Sequence, residues 1–185
     1  MAYRLGDPTA KLLGRLTLNP KNHIDPYMSI VLPIITYVVS GGRFIFGGAK
    51  PVPIDPFNLR DGIKDLAIVS VAGPLTNVLI VVICSILIHI VYPSFLFDEV
   101  AGSGLGGFIL SQIVYLNLLL GIFNLVPIPP LDGSKVLAMF LPPRQAASFL
   151  STRSLGFIFL IAFFYLGGSS FLASLINFAI HLLGL

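Results

Sequence analysis

The chain carries, from residue 124 to residue 133, the stretch Asn-Leu-Val-Pro-Ile-Pro-Pro-Leu-Asp-Gly. This stretch closes an uncharged apolar run, Leu105 to Val126, which is long enough to cross the hydrocarbon core of a bilayer, about 30 Å. Proline lacks a backbone donor, so we predict that the three prolines end the helix and hold the chain extended. A carboxylate, Asp132, therefore follows directly on a membrane-crossing helix.

The composition excludes several classes of protein. Of the 185 residues, 56% are hydrophobic and only 10% are charged, and the mean hydropathy is +0.95. A soluble domain carries roughly 25% charged residues, so this is a membrane protein. The formal net charge of +3 is too small and too dispersed for a nucleic-acid surface. A single cysteine, Cys84, excludes an internal disulfide framework and a cysteine-based zinc site.

The apolar runs predict an all-α multi-pass membrane protein with a small re-entrant or β element. Pro33 and the pair Gly41-Gly42 interrupt the first run, which is a poor uninterrupted span. The second run contains Pro74 and predicts either one kinked helix or a helix that begins near this proline. We interpret the chain as one membrane-embedded domain, 1–185. It begins with a polar segment at 1–27, which includes a short strand over Leu12 to Leu18, and continues with a re-entrant segment and loop at 28–65. The rest consists of spans at 66–92 and 105–126, a loop with a short helix at 127–153, and a C-terminal membrane region at 154–185 that is either one broken helix or a span with a shorter piece.

The charges of the loops predict the orientation. The loop 93–104 has no lysine or arginine, whereas basic residues flank the first run on both sides and occupy the loop before the last run. Under the positive-inside rule the loop 93–104 lies outside and the basic segments are cytoplasmic. Both flanks of the first run then fall on one side of the membrane. This placement predicts a re-entrant segment that forms part of a pocket.

Small and polar residues form a stripe on each of two predicted helices. Such stripes are either packing seams between helices or the lining of a polar cavity, and two facing stripes beside a broken segment favour the cavity. The stripes are Ser70, Gly73 and Asn77 in the second run, and Asn117, Gly121 and Asn124 in the third.

Asp132 has two interpretations from its spacing alone. It is either the N-cap of a helix that starts near Ser134, or a metal ligand or catalytic group just inside the membrane. The spacing leaves both interpretations open.

Several motifs of the chain resemble one family. The stretch 124–133 resembles the Leu-Asp-Gly motif of the site-2 proteases, which are intramembrane zinc metalloproteases. The segment Ala-Gly-Pro-Leu-Thr-Asn at 72–77 resembles the family motif Ala-Gly-Pro-x-x-Asn. Three further segments, at 3–10, 19–26 and 46–53, are similar to small bacterial and archaeal members. The matches run from residue 3 to about 143 in the expected order.

The resemblance implies a zinc enzyme that hydrolyses peptide bonds in or near transmembrane segments. In that family a His-Glu-x-x-His helix and the Asp of Leu-Asp-Gly hold one zinc ion, which activates a water molecule. By resemblance, Asp132 corresponds to the third zinc ligand. Asn77, Gly73 and Pro74 correspond to the motif that engages the unwound substrate. Gly47 and Gly48 belong to the membrane-embedded loop beside the active site and are expected to bind substrate.

The resemblance also predicts partners and a location. The expected partners are the transmembrane helix of a membrane-protein substrate and the lipid bilayer, with no nucleic acid, and a homo-oligomer is left open. The expected location is the plasma membrane, crossed several times.

The chain departs from the family in one respect: it contains no His-Glu-x-x-His. Its histidines are His23, His89 and His181, its one glutamate is Glu99, and one carboxylate cannot hold catalytic zinc. No catalytic residue is therefore assigned within these residues. One hypothesis is that Met1 is a misplaced start and that a further helix carries the motif. The alternative is a zinc-free pseudoprotease that binds membrane helices. A small transporter or channel subunit is a third hypothesis, which rests only on the polar stripes and the broken segments.

Overall fold

The computed structural model describes residues 1–17, 19–39, 41–42, 45, 47–50, 52–94 and 96–185. The chain forms two compact units, Met1–Gly62 and Ile63–Leu185. Within the described residues the regular structure is entirely helical. The predicted all-α class is confirmed. The prediction of a single domain stays a prediction.

The first unit is built from short helices joined by turns. It contains 3₁₀ turns at Ala2–Leu5, Pro20–Asn22 and Pro56–Asn58, an α-helix α1 (Thr9–Leu12), and a π-helical stretch Pro26–Val31 that continues into α2 (Leu32–Val39). The turn of Gly41 and Gly42, both with positive φ, follows α2, so the predicted break occurs at this pair. Pro33 lies inside this continuous helix, where it cannot donate a hydrogen bond to the preceding turn.

The prediction of a strand over Leu12 to Leu18 is wrong for residues 12–17, which form no strand. Leu18 lies outside the described residues. Leu12 ends α1, and the chain then turns through Gly14, whose φ is +64°. The alternation of leucines favoured a strand, but a local interaction decides the structure, because the Asp7 carboxylate accepts a hydrogen bond from the N–H of Thr9 at 2.9 Å and starts a helical turn.

Asp7 is the buried polar centre of the first unit. Its carboxylate accepts hydrogen bonds from the Thr9 backbone and hydroxyl, from the Asp55 N–H at 2.9 Å and from the Asn58 amide. Burial by itself raises the pKa of Asp7, but these hydrogen bonds outweigh it and hold the pKa below its usual value. The ionised Asp7 therefore ties the start of the chain to residues 55–58.

The second unit contains the long helices. They are α3 (Ile63–Val91), α4 (Phe97–Gly102), α5 (Leu105–Asn124), α6 (Asp132–Ala138), α7 (Pro143–Ser151), α8 (Arg153–Phe163) and α9 (Ser169–Leu182). α3 is continuous through Pro74, which decides between the two alternatives for the second run. α8 and α9 are joined by a π-helical stretch with a kink at Gly167, whose φ of +99° is not helical. The C-terminal region is thus a long broken helix.

Three helical segments are long and apolar enough to cross a membrane: Ile63–Val91, Leu105–Asn124 and Ile158–Leu182. They match the predicted spans at 66–92 and 105–126 and the region 154–185. At a rise of about 1.5 Å per residue, α3 is roughly 44 Å long and exceeds the hydrocarbon core. The apolar segment Pro26–Val39 is shorter than these spans.

An apolar core joins the C-terminal half of α3 to its neighbours. α3 packs against α5 and α6, α5 packs against α4 and α9, and α6 packs against α7. The core consists of Val81, Cys84 and Ile88 of α3, Val100 of α4, Val114 and Leu118 of α5, and Ile176 and Ile180 of α9. Cys84 is a buried free thiol within this core.

Candidate functional site

Asp132 is the first residue of α6, and Leu131 is the N-cap. The side chain of Asp132 therefore does not cap a helix that starts near Ser134, and that interpretation is wrong. The preceding loop is also not extended: the N–H of Ile128 bonds to the carbonyl of Val126, and the N–H of Leu131 bonds to that of Ile128. These tight turns, rather than an extended chain, place the carboxylate.

Close backbone packing fixes the position of Asp132. A Cβ atom added at Gly133 would overlap the carbonyl of Leu125 and lie 2.7 Å from that of Val126. Ser134 is buried, and its hydroxyl donates a hydrogen bond of 2.6 Å to the carbonyl of Leu131. The glycine of Leu-Asp-Gly is thus required because the first turn of α6 rests directly on the end of α5.

The structure brings the two main motifs together. A Cβ atom at Gly73 would lie 3.7 Å from Oδ2 of Asp132, so the carboxylate faces the bare backbone of α3. One turn further along α3, Asn77 meets α5, since a Cβ at Gly121 would lie 3.5 Å from the Cβ of Asn77 and 3.9 Å from the carbonyl of Pro74. The Ala-Gly-Pro-Leu-Thr-Asn turn of α3 is therefore held between α5 and α6.

The two polar stripes have different roles in the structure. Asn77 is half-buried, and its side-chain amide makes no hydrogen bond within the described residues. Asn117, in contrast, donates to the carbonyl of Ile113 in its own helix at 2.8 Å. Ser70 is buried, and its hydroxyl has no partner among the described residues. The first stripe keeps free polar groups, whereas Asn117 is satisfied within its own helix.

The sequence analysis missed the partner of Asp132. Nζ of Lys135 lies 2.7 Å from Oδ1 of Asp132, and the two residues are one helical turn apart. In the charge pattern of the sequence, Lys135 is only one of the basic residues of the loop before the last run. The spacing i, i+3 was the signal that could have identified the pair, once α6 was known to begin at Asp132.

The residues present do not make a zinc site by themselves. Zinc in proteases is held by three protein ligands. Within the part of the chain that the structure describes, no group of three His, Cys, Asp or Glu side chains comes together. Asp132 can supply one oxygen ligand, and Lys135 now occupies one of its oxygens.

Gly47 and Gly48 lie in the first unit, within a segment that has no regular secondary structure. The N–H of Gly48 bonds to the carbonyl of Met28 at 2.9 Å, and the hydroxyl of Ser29 donates to the carbonyl of Gly48 at 2.7 Å. A Cβ at Gly47 would lie 2.6 Å from Cγ of Pro33. These glycines allow the segment to pack closely against the start of the first apolar helix. Phe46 and Pro51 of the motif 46–53 lie outside the described residues.

An open cavity of about 640 Å³ borders this segment. Gly47, Gly48 and Ala49 line it together with Ser29, Pro33 and His23. Arg15, which sequence reasoning missed, supports this segment, because Nη2 donates to the carbonyl of Lys50 at 2.7 Å and Nη1 to that of Asn22. The His23 ring bonds to the carbonyl of Thr17 at 2.8 Å.

Comparison with known proteins identifies the family. The chain is 36% identical over 180 residues to a Bacillus subtilis protein named "Putative zinc metalloprotease YwhC", and the match covers 96% of this chain and 77% of the relative. The chain belongs to the site-2 protease family. The family resemblance of the motifs is thus confirmed, and the names of the relatives support a zinc metalloprotease.

Two further relatives match over a smaller share of their own length. A Mycobacterium tuberculosis protein named "Putative zinc metalloprotease Rip2" is 28% identical over 88% of this chain and 58% of its own. A Methanocaldococcus jannaschii protein with the corresponding name and the designation MJ0611 is 36% identical over 60% of this chain and 51% of its own. No family model and no solved structure matches.

Proposed function

We propose that the chain is the part of an intramembrane zinc metalloendopeptidase that supplies one metal ligand and the surface for an unwound transmembrane substrate. The observation that carries this proposal is the contact of Asp132 with Gly73, which joins the Leu-Asp-Gly and Ala-Gly-Pro-Leu-Thr-Asn motifs. A carboxylate beside a helix with no side chain at that point leaves room for a bound group. The proposal requires two further ligands from residues outside the printed sequence.

Each unit offers a candidate substrate surface of its own. In the second unit, the half-buried amide of Asn77 has no partner among the described residues, so it can bond to the backbone of an unwound helix. Gly73 and Pro74 supply a wall without long side chains. In the first unit, the Gly47–Lys50 segment would pair with a substrate strand through backbone groups other than the N–H groups of Gly48 and Lys50, which bond to the carbonyls of Met28 and His23.

The membrane arrangement of the proposal follows the charge pattern. The spans at α3, α5 and 158–182 would cross the plasma membrane, with Asp132 at the cytoplasmic end of α5. The segment Pro26–Val39 is shorter than the three spans, which supports a re-entrant placement. The remaining partners, the bilayer and a homo-oligomer, stay predictions.

A specific observation favours a second candidate function. The Asp132 carboxylate is already paired with Lys135 at 2.7 Å, and the printed sequence has no His-Glu-x-x-His. A zinc-free pseudoprotease would keep this ion pair as a structural contact. Such a protein would bind membrane helices through the same surface without cleaving them.

The experiment compares two aspartate variants of the complete gene product in liposomes. The probes are single-span transmembrane peptides with a glycine or proline in the apolar segment, and cleavage and zinc content are both measured. We expect Asp132→Ala to abolish cleavage and zinc retention, because a three-ligand site does not survive the loss of one ligand. Asp98→Ala is the matched control, since Asp98 is exposed on α4.

Two outcomes contradict the protease proposal in different ways. Full cleavage by Asp132→Ala would show that Asp132 is not a ligand of the catalytic metal. A wild-type protein that binds the peptides but has no zinc and no cleavage would establish the pseudoprotease.

A further inference from the structure

A second cavity lies at the opposite end of α3 from Asp132. Its volume is about 320 Å³, at the lower limit of small-molecule sites, which occupy roughly 300–1,000 Å³. Four apolar side chains and two polar residues line it: Val82, Ile86, Ile90 and Leu183, with Ser85 and His89. No step of the proposed proteolysis uses this cavity.

The hydrogen bonding of His89 defines what the cavity offers to a ligand. Nδ1 of His89 lies 2.8 Å from the carbonyl of Ser85, and a carbonyl only accepts, so Nδ1 carries the proton. In the neutral ring Nε2 is then a hydrogen-bond acceptor. A Cβ at Gly184 would lie 3.4 Å from Nε2, so the absence of a side chain there leaves this edge of the ring uncovered.

Ser85 adds a second polar group to the same cavity. The residue is 4% exposed, and its hydroxyl makes no hydrogen bond within the described part of the chain. A buried hydroxyl without a partner destabilises the folded chain unless a ligand or water satisfies it. The cavity is therefore apolar along most of its length, with two unsatisfied polar positions, the Ser85 hydroxyl and Nε2 of His89.

The depth of these residues matches the anatomy of a phospholipid. The apolar part of α3 begins at Leu66, after the charged Lys64 and Asp65. About 20 residues cross the hydrocarbon core, so the core ends near Ser85. With the core placed in this way, Val82 and Ile86 would lie at the depth of the upper acyl chains, and His89 would lie at the depth of the headgroups.

We propose that this cavity binds one phospholipid whose headgroup carries an N–H or O–H donor. The upper acyl chain lies along the apolar side chains, and the headgroup donates a hydrogen bond to Nε2 of His89. Lipid is the occupant because the apolar lining residues Val82, Ile86 and Ile90 are exposed on a helix that is long and apolar enough to span the membrane. A headgroup without a donor leaves Nε2 unpaired.

The test uses two zwitterionic lipids that differ in donors. The full chain is placed in nanodiscs with equal amounts of phosphatidylethanolamine, which has an ammonium donor, and phosphatidylcholine, which has none. Native mass spectrometry then counts the lipids that the released protein retains. We expect phosphatidylethanolamine to be retained about fivefold to tenfold more often, the ratio that one net hydrogen bond gives.

Three variants locate the effect. His89→Phe keeps an aromatic ring without an acceptor and should reduce the ratio to about one. Ser85→Ala should weaken the retention of both lipids, since it removes a polar group of the cavity. Ser70→Ala is the matched control, because Ser70 is also a buried serine of α3 whose hydroxyl lacks a partner, and it should leave the ratio unchanged.

A second measurement needs no variant. The wild-type chain is offered phosphatidylethanolamine with zero, one, two or three N-methyl groups, and retention should fall sharply only when the last N–H is lost. Equal retention across this series, or an unchanged ratio in a folded His89→Phe, would overturn the proposal.

Discussion

In its N-terminal half α3 meets its neighbours through glycines and polar groups, whereas its C-terminal half belongs to an apolar core. Gly73 faces the Asp132 carboxylate, and Asn77 faces Gly121, in the first half. In the second half Val81, Cys84 and Ile88 pack with side chains of α4, α5 and α9. One helix therefore separates the residues of the candidate site from those that stabilise the bundle, and mutations in the two halves should have different consequences.

The largest expected effect comes from filling the space in front of Asp132. Gly73→Leu should lower cleavage by the complete protein about 100-fold, because the new side chain displaces a carboxylate that must be placed within about 1 Å. Gly73→Ala is the matched control, since its Cβ would lie at an ordinary contact distance of 3.7 Å from Oδ2. Equal activity of both variants would show that cleavage does not depend on the space in front of Asp132.

Mutations in the C-terminal half of α3 should instead lower the stability of the protein. Ile88, which is 1% exposed, leaves a cavity when replaced by alanine, and we expect a loss of roughly 2–4 kcal/mol in the free energy of unfolding. Reversible denaturation in mixed micelles measures this loss. Ile83→Ala is the control on the same helix, because Ile83 is 50% exposed and its loss should cost much less. Equal costs would show that the core is not where the structure places it.

Gly133 is a packing residue that also lies within the candidate site, so its substitution should affect both stability and zinc binding. Gly133→Ala forces a Cβ against the carbonyl of Leu125 and should destabilise the protein by about 1–3 kcal/mol while it also shifts Asp132. Thermal unfolding and zinc content, measured on the same sample, should both change. A variant that loses stability but keeps its zinc would show that the backbone of α6 can shift while the Asp132 carboxylate stays in place.

Asp7 supplies a reference outside α3. Its pKa is lower in the folded chain than in the unfolded one, so its contribution to stability is present above the usual pKa of an aspartate and is lost as the pH falls toward the folded value. The stability of the first unit in the wild type should therefore fall as the pH is lowered. In Asp7→Asn this pH dependence should be reduced, and unit-specific hydrogen exchange detects the difference. An unaltered acid profile would contradict the ionised state of Asp7.

The smallest effect is expected at Lys135. An i, i+3 ion pair on a helix contributes about 0.2–0.5 kcal/mol, so Lys135→Ala should change the unfolding temperature very little. If Asp132 is a metal ligand, removal of the competing ammonium should leave zinc retention equal or higher. A marked loss of stability would instead indicate a structural ion pair and favour the pseudoprotease.

Much of the helical architecture could be predicted from the sequence, because uncharged runs of about 20 residues have few alternatives in a bilayer. Asp132, Gly73 and Asn77 could be singled out from motifs, and the structure brings Asp132 to Gly73. The false strand near Leu12 arose because the side chain of Asp7 directs a helical turn that alternating leucines do not reveal. The Lys135 partner and the tight loop before Asp132 depend on where α6 begins, which the three prolines did not specify.

The most direct test of the account is the zinc content of the complete gene product, measured for the wild type, Asp132→Asn and Ile88→Ala. The account predicts about one zinc per chain in the wild type and in folded Ile88→Ala, and loss of zinc in Asp132→Asn with little change in stability. Equal zinc in all three proteins, or no zinc in the wild type, would contradict the assignment of metal chemistry to the Asp132 end of α3.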